Sequence, residues 1–103
     1  MAYRLIVSRN ANDNIDSIVR YVTVRLSNPQ AARAILNDID AAYDKLEERA
    51  EIYPYCNDLY LAHKGYRKLP LDKHNYVILY QLIENEVHIG GVFHTRENYV
   101  KKL

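Results

Sequence analysis

Residues 76–83 read Tyr-Val-Ile-Leu-Tyr-Gln-Leu-Ile, with Gln81 the only side chain that is neither aliphatic nor aromatic. An apolar run this short and this rich in β-branched and aromatic residues is a strand rather than a helix face. Both of its faces must be covered, which puts it at the centre of a sheet. Asp72-Lys73-His74-Asn75 before it is a turn. Glu84-Asn85 after it is a tight hairpin turn, with Asn the residue that tolerates a left-handed backbone. The hairpin leads into Glu86–Phe93, where Gly90-Gly91 allows a close backbone approach or a bulge. Upstream, Tyr66–Leu71 is a further strand. Pro70 cannot donate a ladder hydrogen bond, so that strand lies at an edge or bulges there.

Residues 3–8 are a strand by the same composition. The period then changes. Ile15, Ile18, Val19, Val22 and Leu26 recur at helical spacing behind Ser8 or Asn10 as cap. Ser27-Asn28-Pro29 interrupts them: Asn28 caps again and Pro29 takes the first helical position. The second helix runs to about Glu48, with Ala32, Ile35, Ile39, Ala42, Tyr43 and Leu46 as its stripe. Joined by so short a turn, the two helices fold back as an antiparallel hairpin whose stripes meet each other and the sheet. Residues 49–58 are a loop around Pro54. Residues 59–63 fit a short helical turn or an irregular segment, and 95–103 a short helical or ragged tail. The order is β-α-α-β-β-β in one domain spanning residues 1–103. That is an α+β fold with a mostly antiparallel sheet packed against an α-helical hairpin.

No run approaches the roughly 18 apolar residues of a membrane span. The start of the chain is too short in apolar residues and too soon charged for a secretory signal, so a cytoplasmic protein is expected. Cys56 is the one cysteine, which excludes an internal disulfide and fits a reducing compartment. His63, His74, His88 and His94 are scattered without zinc spacing, so neither a metal nor another cofactor is expected. The net charge of +1 divides into +3 over residues 1–35, −5 over 36–58 and +3 over 59–103. That excess is too small for a protein that simply coats nucleic acid. The acidic block reads as a solvated helix face, and the positive C-terminal part as a surface for an acidic partner. Ten tyrosines against one phenylalanine and no tryptophan place many rings at the core's edge or at an interface.

Several segments together resemble the RelE/ParE superfamily, bacterial toxins of type II toxin–antitoxin systems, over about residues 3–100. In the first helix the resemblance lies in Asp13-x-x-Asp16-x-x-x-x-Arg20-Tyr21. In the second it lies in the alanines and the stripe ending at Leu46. Gly65-Tyr66-Arg67-Lys68-Leu69 looks like the family's G-x-R-x-L strand. His74-Asn75-Tyr76-Val77-x-x-Tyr80 looks like the central strand of ParE toxins, a group that includes plasmid stabilisation proteins. Val92-Phe93-His94-Thr95-Arg96-Glu97 looks like their closing I-x-H-x-R signature.

The resemblance implies one of two activities. RelE-like members cut mRNA in the ribosomal A site. ParE-like members poison DNA gyrase, with no catalytic site in the toxin. Either is neutralised by a cognate antitoxin whose segment wraps the toxin. Cutting RNA needs fixed cations on the phosphate, a base and an acid. Nuclease members similar to this chain carry an Arg just after the central-strand tyrosine, where this chain has Val77. They often carry a second basic residue two past Lys68, where this chain has Pro70. The departure favours a ParE-like gyrase inhibitor. A ribosome-dependent mRNA endonuclease remains the alternative, with Lys68, His94, Arg96 and Tyr99 as its available groups.

Target binding is expected at Arg67, Lys68, Tyr76, His94 and Arg96. Arg67 and Lys68 alternate across their strand, so one of them faces outward to grip a phosphate or carboxylate. His94 is of a residue type suited to acid–base chemistry, or else it is hydrogen-bonded at the sheet rim. Tyr76 and Tyr80 share a strand face, as core rings or as a stacking platform. The antitoxin is expected across the groove between hairpin and sheet, on Ile18, Val22, Ile35, Ile39 and Tyr80.

Overall fold

A computed structural model describes residues 2–103. Its elements are strand β1 (Arg4–Val7), helix α1 (Arg9–Arg20), a π-helical turn (Tyr21–Arg25), helix α2 (Pro29–Arg49), a 3-10 turn (Ala50–Ile52), short helix α3 (Leu59–His63), strands β2 (Tyr66–Pro70), β3 (Tyr76–Ile83) and β4 (Glu86–His94), and a 3-10 turn (Tyr99–Lys102). The four strands lie in the order β1-β4-β3-β2. β3 is interior, as its apolar run requires, and β2 with Pro70 is the edge. The pairs β2/β3 and β3/β4 are antiparallel. β1 runs parallel to β4, so the sheet is mixed. The long helical hairpin carries the chain back before the hairpins begin, and this puts β1 alongside β4 in the same direction.

Ser8 caps α1, its hydroxyl accepting from the Ala11 amide at 3.0 Å. The stripe of α1 holds through Val22 and fails at Leu26, which is exposed. The cause is local: Leu26 donates to the Tyr21 carbonyl, a five-residue bond at 3.2 Å. The extra residue in that turn rotates Leu26 off the core side. Asn28 caps α2, accepting from the Ala31 amide at 3.0 Å. Residues 59–63 resolve as helix because the Asp58 carboxylate accepts from the Leu61 amide at 3.0 Å. Gly65, with φ at 86°, then reverses the chain into β2. In the β3–β4 hairpin it is Glu84, at φ 54°, that takes the left-handed conformation, not Asn85.

The hairpin covers one face of the sheet. Ile78, Tyr80, Val87, Ile89 and Val92 meet Val22, Ile35, Ile39 and Leu46 there. A second, smaller cluster covers part of the opposite face: Val77, Leu79 and Phe93 under Cys56 and Leu61, bordered by Tyr99, Val100 and Leu103. Strand alternation sorts the side chains between these two layers. The ladder skips Gly90, a bulge that keeps Val92 and Ile89 on the same face. The bulge is held from α1: Ser8 Oγ and Asn10 Nδ2 donate to the Gly90 carbonyl at 3.3 and 3.1 Å. Asn14 Oδ1 accepts from the Val92 amide at 3.1 Å.

Candidate functional site

The rim where β3 and β4 meet the C-terminal tail is built from backbone outward. The Thr95 amide donates to the Asn75 carbonyl at 3.0 Å, tying the tail to the β2–β3 turn. The His94 amide donates to Glu97 Oε1 at 3.0 Å, and the Arg96 amide donates to His94 Nδ1 at 3.1 Å. His94 Nδ1 is therefore an acceptor, which assigns the ring proton of neutral His94 to Nε2. The His94 ring meets Tyr76 edge to face, centroids 5.4 Å apart. Lys102 Nζ donates to Glu97 Oε2 at 2.6 Å. Burial raises the Glu97 carboxyl, but the hydrogen bonds from Lys102 and the His94 amide outweigh it and leave the group below its ordinary range. Tyr99 stacks on Phe93 at 5.6 Å, and burial pushes its hydroxyl up.

The residues expected for RNA cleavage do not converge. Lys68 pairs with Leu79, and Phe93 with Val77, on the face of the smaller cluster. Tyr99 belongs to that side as well. Alternation places His94 on the other face, beside Tyr76 and the hairpin layer. Arg96 is exposed past the strand end. Val77 is buried among Leu79, Phe93 and Leu61, so a cation at its position would be desolvated.

The residues expected for target binding also divide. Arg67 lies on the hairpin side and is held in place locally. Its guanidinium donates to the Tyr53 carbonyl at 2.6 Å, to the Glu51 carbonyl at 3.3 Å and to the Tyr55 hydroxyl at 3.1 Å. Tyr76 is half-buried against His94. Lys68, His94 and Arg96 keep side chains near the surface.

The expected antitoxin groove is closed. Val22, Ile35, Ile39 and Tyr80 are buried in the chain's own core, Tyr80 with no exposure at all and its hydroxyl donating to the Ala50 carbonyl at 2.7 Å. Ile18 is half-buried at the core's margin. Hairpin and sheet pack directly, so Val22, Ile35, Ile39 and Tyr80 have nothing left to offer a partner. The exposed apolar surface lies mostly outside the stripes. Tyr21, Val24, Leu26 and Leu36 are exposed near the hairpin tip. Val24 lines shallow grooves of about 360 and 420 Å³ with Arg20, Tyr21 and Leu36. The sequence signal was there: Val24 and Leu36 are large aliphatic residues that fall off both helical stripes.

Among the described residues no group of histidine, cysteine and carboxylate side chains could hold a metal ion, and no helix is long and apolar enough to cross a membrane.

The family described as ParE toxin of type II toxin-antitoxin system, parDE, matches residues 5–99. No curated protein matches the chain. A solved chain described as belonging to the chromosomal ParDE toxin–antitoxin system from P. aeruginosa is similar in fold, with a TM-score of 0.75 at 20% identity, covering 90% of this chain and 96% of that one. The sheet order, the helical hairpin and the match over nearly the whole length agree: this chain belongs to the ParE toxin family of type II toxin–antitoxin systems.

Proposed function

We propose that this toxin inhibits bacterial growth by binding and poisoning DNA gyrase, and that a cognate antitoxin neutralises it. The observation that carries the reading is the division of Lys68 and His94 between opposite faces of the sheet, with buried Val77 where a nuclease needs a cation. Phosphodiester cleavage by a 2′-hydroxyl needs its cation, base and acid around one phosphate. A binding protein needs only a rigid shaped surface. A cytoplasmic site of action goes with this reading.

The antitoxin is assigned to the hairpin tip. There Val24, Tyr21 and Leu36 supply an apolar centre, and Arg20 and Arg25 lie beside it without carboxylate partners among the described residues. The test is a supercoiling assay with purified toxin and gyrase. Inhibition with accumulation of cleaved DNA is expected, and unchanged supercoiling with no cleaved DNA would refute the reading. The ribosome-dependent nuclease alternative requires codon-positioned mRNA cuts in a translation extract.

A further inference from the structure

A second exposed apolar patch lies beyond the far end of α2. That helix has 21 residues, so its length separates the patch from the hairpin tip by about 30 Å. Ile52, Tyr55, Leu59 and Tyr60 fall within nine residues, each at least half exposed, and Leu59 reaches 84%. Single exposed apolar residues are ordinary on a monomer, but four of them within nine residues mark a contact surface.

The backbone beneath the patch is fixed. Residues 54–56 lie along the edge of β2: Lys68 donates to the Pro54 carbonyl at 3.1 Å and Cys56 to the Tyr66 carbonyl at 2.9 Å. Leu61 is fully buried against Cys56 and Leu79, which anchors α3 and turns Leu59 and Tyr60 outward. Each exposed ring carries a cation. The Arg67 guanidinium sits 4.2 Å from the Tyr55 ring centroid, and the Lys64 amine 5.1 Å from that of Tyr60. Neither cation has a carboxylate partner among the described residues. The acid within the stretch, Asp58, is occupied with the Leu61 amide, and Glu51 at its border accepts from the Tyr3 hydroxyl.

We propose that Ile52, Tyr55, Leu59 and Tyr60, rimmed by Lys64 and Arg67, form the surface by which the toxin grips its target protein, and that the target presents an apolar centre edged with carboxylates. Tyrosine and arginine are the residue types that carry most interface energy, and here both are held in place before binding. Two exposed aliphatic side chains separate this surface from a nucleic-acid platform, which needs rings and phosphate contacts alone. The identity of the target as gyrase rests on the reading above.

The experiment compares the full chain with Leu59→Asp and Tyr60→Ala. Both positions are largely solvent-exposed, so both variants should fold, checked by melting and by co-purification with the antitoxin. The expected result is a rise of about 30-fold or more in the toxin concentration needed for half-inhibition of supercoiling. Growth arrest in cells should fall in parallel. If the unmodified chain leaves gyrase untouched yet arrests growth, the gyrase reading fails; loss of arrest in the folded variants would then still uphold the patch. Folded variants as toxic as the unmodified chain would overturn it. So would self-association, or binding of a single-stranded oligonucleotide, that the variants abolish while toxicity stays intact.

Discussion

Removing the Asp38 carboxylate should loosen the rim from a distance. Asp38 lies on α2 with its side chain 4% exposed, and its Oδ2 accepts from His74 Nδ1 at 2.8 Å and from the Lys73 amide at 2.9 Å. Burial alone would raise this carboxyl. The hydrogen bonds from His74 and from the Lys73 and Asp72 amides outweigh it and hold the group below its ordinary range. Asp38→Ala leaves those donors without their acceptor. Hydrogen bonds to a charged group contribute about 1.5–3 kcal/mol each. The two from His74 and the Lys73 amide give a loss of about 3–6 kcal/mol. For about 100 residues, each kcal/mol moves Tm by about 4–8 °C, so a fall of about 12 °C or more is expected in a thermal melt at pH 7. Asp38→Asn keeps an oxygen acceptor and should lose less. The pH dependence follows from the depressed folded pKa. The carboxyl's stabilising contribution is complete above the unfolded value of about 4 and disappears as pH falls through the lower folded value. The carboxyl's part of the gap between native protein and Asp38→Asn should therefore shrink as pH falls below about 4. Because Asn75 holds Thr95 and Tyr76 meets His94, the His94 and Thr95 amide resonances should shift with the Asp38→Asn substitution. A melt of Asp38→Ala within about 2 °C of the native protein would refute this account of the turn.

The Tyr43 hydroxyl is buried and has no hydrogen-bond partner among the described residues, and burial together with Asp40 pushes it up to about 12. Tyr43→Phe should be neutral or stabilising by about 1 kcal/mol, and a clear drop in Tm would contradict that. A Cβ at Gly91 would stand 2.4 Å from the Phe93 ring, whereas one at Gly90 would stand 3.1 Å from Tyr66. Gly91→Ala should cost about 1–3 kcal/mol and break the Phe93–Tyr99 stack, with Gly90→Ala milder; equal melting of the two variants would count against the packing described.

The layers were legible in the chain, and the surfaces were not. The apolar run 76–83 and two stripes at helical spacing dictate an interior strand and a helical hairpin, because burial demands follow directly from residue type. Pro70 marks the edge and Gly90-Gly91 the bulge, since each restricts or frees the backbone locally. The parallel pairing of β1 depends on how the whole hairpin returns, which no local pattern carries. Leu26 escapes its stripe because one five-residue hydrogen bond changes the helical phase. The residues expected to meet the antitoxin lie in or beside the core for a related reason. Val22, Ile35 and Ile39 were apolar enough for either a core or an interface, and only the direct packing of hairpin on sheet decides for the core. His94 and Lys68 were each reasonable as chemical groups, but the alternation that separates them requires the strand register.

The central claim is that this ParE-family chain acts by gripping gyrase and not by cutting RNA. The most direct measurement induces it in growing bacteria and follows chromosomal DNA and message length in the same cells. Gyrase-linked DNA breaks appearing at growth arrest, with messages at full length, are what the account predicts. Intact DNA with messages cut at codon positions would contradict it.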